Sequence, residues 1–200
     1  IIYPPVETSW IRSSALKQEK KDYFLYAGAL VPYKRVDWII EAFNSLPYKL
    51  VIVGSGPEYG ALKSKARENI LFMGRVSDEE LGAYYAGARA LLFPGTEDFG
   101  MIPVECMAAG TPVIGINDGG LAESVKGVMY DNASAIDPGS TTGIFFHKNR
   151  EPVNELIKAV KVFIENENKF SKNTIINSTD RFSVAEFKKD WEAKVARLYA

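Results

Sequence analysis

Short apolar runs punctuate this chain, at 23–29 (YFLYAGA), 49–55 (KLVIVGS), 69–74 (NILFMG), 90–95 (ALLFPG), 111–116 (TPVIGI) and 142–147 (TGIFFH). Each is short enough for a strand and apolar at consecutive positions, the pattern of strands buried on both faces. Between them the period changes. In 36–46 the residues Val36, Ile39, Ile40 and Phe43 fall at i, i+3, i+4 and i+7, one face of a helix. A polar helix is expected around 58–68, and another over 77–88, opened by Ser77 and Glu80 at capping-box spacing. Strands alternating with helices, with right-handed crossovers, predict an α/β protein: a Rossmann-like doubly wound parallel sheet flanked by helices.

The two ends read differently. Residues 1–21 hold Pro4-Pro5 and the charged run KQEKKD, and are expected to be an irregular linker segment. The Rossmann-like domain is expected over 22–182. Helical periodicity returns at 151–167 and 183–200 with no strand between. In the last segment Phe187, Trp191, Val195 and Leu198 form an apolar stripe. That stripe packs on this domain or docks on an absent amino-terminal domain.

Composition narrows the class. Hydrophobic residues at 46% and charged residues at 24% suit a soluble globular domain, and 200 residues suit one such domain. A net charge of −1 gives no electrostatic footprint for nucleic acid or an anionic membrane. One cysteine, Cys106, excludes an internal disulfide framework and fits a reducing compartment. No apolar run approaches the roughly 20 residues of a membrane span, and no signal peptide is expected. The opening IIYPPVETSW, without an initiator methionine, reads as a cut in a linker or a fragment of a longer protein.

The stretch GTEDFGMIPVECMAAGTPVIG, 95–115, carries the candidate chemistry. Seven residues separate Glu97 from Glu105, and Glu97 follows an expected strand, where ligands of such sheets lie. Pro103 suits a first helical position and Gly110 a helix stop, predicting a helix over 103–109 with Glu105 in its first turn. The amides of Phe99 to Ile102 then form a helix entrance, whose unpaired N–H groups favour an anion. Carboxylates repel phosphate but accept from hydroxyls, so the fitting ligand has hydroxyls on both sides of a phosphate. A nucleoside-diphosphate sugar has that layout. Spacing alone also admits plainer roles. Glu105 could favour the helix dipole, worth about 0.3–1 kcal/mol, Phe99-Gly100 could be a buried ring and a turn, and Met101, Cys106 and Met107 could be core.

The segments YAGALVPYKRVDWIIEAF, LVIVGSGP, ILFMGRVSDEELGAYYAGARALLFP, EDFGMIPVECMAAGTPVIG, GGLAES and TGIFF run in order over roughly 1–147. Together they resemble retaining glycosyltransferases of the two-Rossmann GT-B architecture, family 4, the glycosyl transferases group 1. The resemblance implies a carboxyl-terminal, donor-binding half, with IIYPPVE similar to the segment joining the halves. PYKRVD resembles a mannosyltransferase subgroup that builds polysaccharide or lipopolysaccharide chains.

By that resemblance Glu105 binds the ribose hydroxyls, while Glu97 contacts the transferred sugar and holds the reacting geometry. Backbone amides at Phe99, Gly100, Met101 and Ile102 contact sugar and diphosphate, and Lys34 pairs with the diphosphate. Gly74, Arg75 and Val76 meet the nucleobase through backbone atoms, with Leu81 packed nearby. Many relatives read Gly-Arg-Leu where this chain reads Gly28-Ala29-Leu30. Arg35 is the candidate for the missing second charge, and degraded donor affinity is the alternative.

The implied reaction transfers a hexosyl group, mannosyl by subgroup, with retention and without a protein nucleophile. Lys34, Arg35 and the helix entrance stabilise the leaving group in place of a metal. The donor, with GDP-mannose as candidate, serves as substrate and no cofactor is implied. The partners are a glycan or lipid-linked acceptor and the missing amino-terminal half, without which this chain transfers little or nothing. The whole enzyme is expected in the cytoplasm, peripheral to the membrane. Two other readings remain: a standalone, non-catalytic nucleotide-sugar-binding module, and a nicotinamide-type dinucleotide binder. The latter rests on GSGPEYG, which fits Gly-x-Gly-x-x-Gly only if Tyr59 were glycine and follows the second strand, not the first. His147, the single histidine, reads as a loop residue.

Overall fold

The computed structural model of the protein describes residues 1–15, 19–148 and 151–198. Lys17 and Gln18 of the charged run, and the last two residues of the expected carboxyl-terminal helix, lie outside the described residues.

All six predicted strands form: β1 (Phe24–Ala27), β2 (Leu50–Val53), β3 (Ile70–Gly74), β4 (Leu91–Phe93), β5 (Val113–Ile116) and, near the end, β7 (Gly143–Phe146). A further strand, β6 (Gly127–Met129), pairs with β7 at one edge. It escapes a sequence reading because three half-buried residues make no apolar run; its pairing alone makes it a strand. All pairings are parallel, in the order β3-β2-β1-β4-β5-β7-β6. The fold is therefore the expected Rossmann-like α/β sheet, with the strand order reversing between β1 and β4.

Alternation along each strand divides the core in two. Phe24, Tyr26, Leu50, Ile52, Leu92 and Ile114 face one side, while Leu25, Ala27, Val51, Val53, Leu91 and Val113 face the other. On the first side lie α2 (Val36–Ser45) and α7 (Pro152–Asn166). The stripe Val36, Ile39, Ile40 and Phe43 is buried there as predicted, beside Leu156, Val160 and Phe163 of α7. The other side carries α4 (Asp78–Gly87), α5 (Met101–Ala108) and α8 (Lys172–Asn177). Helix α4 opens with the predicted capping box: Ser77 Oγ accepts from Glu80 N at 3.3 Å, and Glu80 Oε2 accepts from Ser77 N at 2.9 Å. The polar α3 (Tyr59–Lys65) follows β2, and α6 (Gly119–Ser124) follows β5.

One expectation for the chain ends, that of an irregular first segment, is corrected. The first 21 residues are not irregular throughout, since α1 (Ser9–Ala15) forms and buries Ile11 completely. Val6 N donates to Phe182 O at 2.8 Å, and Arg12 pairs with Asp180 at 2.6 Å. An apolar residue on each side of the Ser9 turn is enough to tie this segment to the core cluster under α4 and α5. The final helix, α9 (Val184–Leu198), buries none of its described residues. Phe187 and Trp191 stack on each other at 6.1 Å, and Trp191 and Leu198 remain exposed. Of its apolar stripe, Phe187 and Val195 are half-buried, while Trp191 and Leu198 are not packed into this domain.

Phe163 joins α7 to the sheet through edge-on contact with Phe24 at 5.9 Å and meets Phe170 at 5.3 Å. Phe163→Ala is expected to cost about 3–5 kcal/mol by cavity formation, read as a lower urea midpoint with an unchanged slope.

Candidate functional site

Chain reversal at the β1/β4 boundary leaves a crevice at the carboxyl ends of the strands. Two loops enter it. The loop after β1 makes a 3-10 turn over Pro32–Lys34 and leaves through Arg35, which takes a left-handed φ of 55° before α2 begins. The loop after β4 runs through Gly95 to Gly100. A Cβ on Gly95 would stand 3.0 Å from Lys34 Cα and 3.1 Å from Tyr33 O, so the loops lie backbone against backbone. That approach joins their side chains: Lys34 Nζ forms an ion pair with Glu97 Oε1. Lys34 is buried, its ammonium 5.7 Å from the Phe93 ring centre, and desolvation pushes its pKa down.

Beside this pair opens a hollow of about 500 Å³, walled by Pro4, Tyr33, Thr96, Glu97, Gly100 and Met101. Helix α5 starts here, with Gly100 as its N-cap at φ 77°, a left-handed conformation that suits glycine. The first-turn N–H groups of α5 lack intrahelical acceptors. The Glu97 loop is held from outside: Gly120 N donates to Glu97 O at 2.8 Å, and Thr96 Oγ1 donates to Asp118 Oδ2 at 3.1 Å.

A second hollow of about 270 Å³ lies on the other side of the α5 entrance. Gly28 and Gly54 form its floor, where β1 and β2 end so close that a Cβ on Gly54 would collide with the Gly28 carbonyl. Arg75, Val76 and Leu81 supply one wall, and Ile102 and Glu105 the other. Glu105 is the fifth residue of α5, not a first-turn residue, because the helix begins at Met101, two residues before the predicted start. Pro103 occupies the third position, where its missing N–H removes no helical bond. Under the α4–α5 contact, Tyr85 Oη donates to Glu105 Oε2 at 2.9 Å. Burial raises the Glu105 pKa above the usual carboxylate value, opposed by the Tyr85 bond. Burial, with the neighbouring Glu105 charge, holds the Tyr85 phenol well above its ordinary value.

The predicted residues therefore divide between two hollows. Glu97, Phe99, Gly100 and Met101 line the first, with Lys34 bonded to it through Glu97. Arg75, Val76, Leu81, Ile102 and Glu105 line the second. Gly74, at φ 70°, turns the chain from β3 into that wall. Arg75 Nε donates to Ser55 Oγ at 2.9 Å. The Phe99 ring turns away, to within 5.5 Å of Phe182 and 6.0 Å of Tyr3, which leaves its backbone for the hollow. Arg35 is not brought to the site. Its left-handed backbone aims the side chain along α2, where it pairs with Asp37 at 2.7 Å and lies 4.2 Å over Trp38. His147 is a surface residue bonded to Asp131 at 3.0 Å, and Cys106 is fully buried. Among the described residues no group of three or more His, Cys, Asp or Glu is placed to hold a metal. Sequence reasoning missed Tyr85. The available signal was its position four residues after Leu81, on the same face of a helix whose start the capping box fixes.

The family model for glycosyl transferases group 1 matches residues 8–181. The O-antigen chain mannosyltransferase RfbU of Salmonella typhimurium is 35% identical over 107 residues, covering 49% of this chain and 30% of that protein. The GDP-mannose-dependent alpha-(1-6)-phosphatidylinositol monomannoside mannosyltransferase of Mycobacterium tuberculosis is 33% identical over 127 residues, 52% of this chain and 33% of its own. Among solved structures, Anabaena HepE in complex with UDP-glucose superposes with a TM-score of 0.68 at 18% identity, over 96% of this chain and 54% of that one. The fold is shared with that solved structure. The chain matches about a third of the length of these curated relatives and about half of the solved one.

The Lys34–Glu97 pair is mostly shielded, with side chains 10% and 21% exposed. Lys34→Met and Glu97→Gln are each expected to destabilise, and the double variant to lose less than their sum. Chemical denaturation of the four proteins should give a coupling of about 1–3 kcal/mol.

Proposed function

The chain belongs to the glycosyl transferases group 1 family, and on that premise we propose that it is the donor-binding half of a retaining glycosyltransferase. It moves a hexosyl group, mannosyl by preference, from a nucleoside-diphosphate sugar to a growing polysaccharide or glycolipid. One observation carries the reading: the two glutamates stand in separate hollows, with the entrance of α5 between them. That layout suits a ligand with a hydroxyl-bearing group at each end of an anionic centre.

In this reading the nucleoside enters the smaller hollow. The base lies against Val76 and Leu81, and Glu105 accepts from the ribose hydroxyls. The glycine floor lets the ligand approach backbone directly. The diphosphate lies against the first turn of α5, where N–H groups and the helix dipole favour negative charge. Lys34 exchanges Glu97 for the diphosphate, and Glu97 becomes free to accept from the sugar in the larger hollow. As the bond from the anomeric carbon to the diphosphate oxygen breaks, charge grows on the leaving group. The amine of Lys34 and the amides of α5 oppose that charge, each contributing on the order of 2.7–4 kcal/mol to the barrier. The acceptor hydroxyl forms the new bond on the same face and passes its proton to the departing phosphate. No metal takes part in this scheme.

An acceptor-binding half completes the cleft, and the exposed Trp191 and Leu198 on α9 offer it an apolar contact. Alone, the chain binds donor weakly and transfers little. Among the described residues no helix is long and apolar enough to cross a membrane.

Calorimetric titration with GDP, UDP, GDP-mannose, UDP-glucose and NAD tests this reading. One nucleoside diphosphate and its sugar are expected to bind, equally well with and without EDTA. Binding of NAD in preference to every nucleoside diphosphate would refute the proposal. Glu105→Ala should raise the dissociation constant of that nucleoside diphosphate by about tenfold or more. Lys34→Ala should weaken the nucleoside diphosphate while leaving the parent nucleoside unaffected.

A further inference from the structure

Tyr85 is the largest unexplained group at the smaller hollow. It is fully buried, yet its hydroxyl is spent on a carboxylate that the proposed function assigns to the ligand. A buried phenol is normally placed where its O–H finds a partner, and Glu105 would be an ordinary partner if it had no other duty. Resting on the reading of Glu105 as the ribose ligand, the geometry points to Tyr85 as a positioning residue: it fixes the Glu105 carboxylate for the ribose diol.

Three observations support that assignment. The 2.9 Å bond engages Oε2 alone, so Oε1 is the oxygen left to accept from the ligand. The phenol stays protonated at ordinary pH, held high by burial, and in this bond it only donates. Its position is also fixed from behind. Thr111 Oγ1 donates to the Tyr85 carbonyl at 2.7 Å, and Lys20 Nζ donates to Thr111 Oγ1 at 2.5 Å, tying the end of α4 to the turn before β5. The aromatic ring thus works as a rigid strut between α4 and a carboxylate on α5. A carboxylate whose rotamer is locked before the ligand arrives loses less freedom on binding.

The same bond sets the charge of Glu105. The charged or titratable groups around it are Tyr85 and Asp78 of α4, Cys106 beside it on α5, and Arg75 across the hollow. Burial and Asp78 push the carboxyl toward its neutral form, and the hydrogen bond from Tyr85 opposes them. A neutral carboxyl is a poorer acceptor, so ligand binding weakens as pH falls through the raised Glu105 pKa. Removing the donor moves that loss to higher pH.

The test is Tyr85→Phe, which keeps the ring and deletes the hydroxyl, read in two ways. The Glu105 carboxyl carbon, followed by NMR against pH, should titrate at a higher midpoint than in the parent chain. The affinities for GDP and UDP should be compared with those for their 2′,3′-dideoxy counterparts. The parent chain should prefer the ribonucleotide, and the variant should lose most of that preference, about five- to twentyfold, with dideoxynucleotide affinity unchanged. In a Glu105→Gln background, Tyr85→Phe should change the ribose preference no further. An unmoved midpoint with an intact ribose preference overturns the inference, and so does an equal loss for both nucleotide forms, which marks a merely structural tyrosine. A parent chain that binds GDP or UDP without ribose preference also overturns it, while leaving the family reading in place. A parent chain that binds neither nucleotide removes the site reading, and this inference with it.

Discussion

The ion pair between Lys34 and Glu97 bridges the point where the sheet changes direction. Its partners come from strands that are neighbours in the sheet and far apart in sequence, so it forms only after β1 and β4 have paired. It needs the bare backbone of Gly95 to bring the two loops together. It also needs the 3-10 turn over Pro32–Lys34, whose exit through a left-handed Arg35 sets the direction of α2. Burial makes each charge dependent on the other. A pair that each partner can leave only for another charge or hydrogen-bonding group suits the resting state of the proposed donor site.

The second constraint is the lack of side chains on the floor. Gly28 and Gly54 have φ of 143° and 132°, and the Gly28 carbonyl leaves no space for a Cβ on Gly54. The hollow above exists because the ends of β1 and β2 are bare, while the walls come from α4 and α5. Those helices also bury Tyr85, Val104 and Met107 in one core cluster, so the shape of the hollow is coupled to the packing of that face of the sheet.

The unevenness of burial follows from the same architecture. Central strands are covered on both sides, and edge strand β3 leaves Leu71 and Met73 exposed. Helix α9 buries no described residue completely and leaves Trp191, stacked on a half-buried Phe187, exposed. The sequence could show that α9 is amphipathic, but which surface receives its stripe is a property of neighbours, not of periodicity.

Much of the molecule was legible in one dimension, because hydrophobic period and capping act locally. The apolar runs determined six strands, the i, i+3, i+4, i+7 pattern determined the buried face of α2, and Ser77 with Glu80 determined where α4 starts. The position of Glu97 after an apolar run set it at the carboxyl end of a strand, with Glu105 on the helix that follows. Tertiary structure decided the rest, because it depends on contacts between distant segments. It sent Arg35 to Asp37 and Trp38, docked Val6 and Ile11 into the core, made a strand of Gly127–Met129 by pairing, and began α5 two residues early. It also put a tyrosine from one helix against a glutamate from the next. No periodicity encodes that bond, since it exists only where two helices packed on one face of the sheet bring their buried sides together.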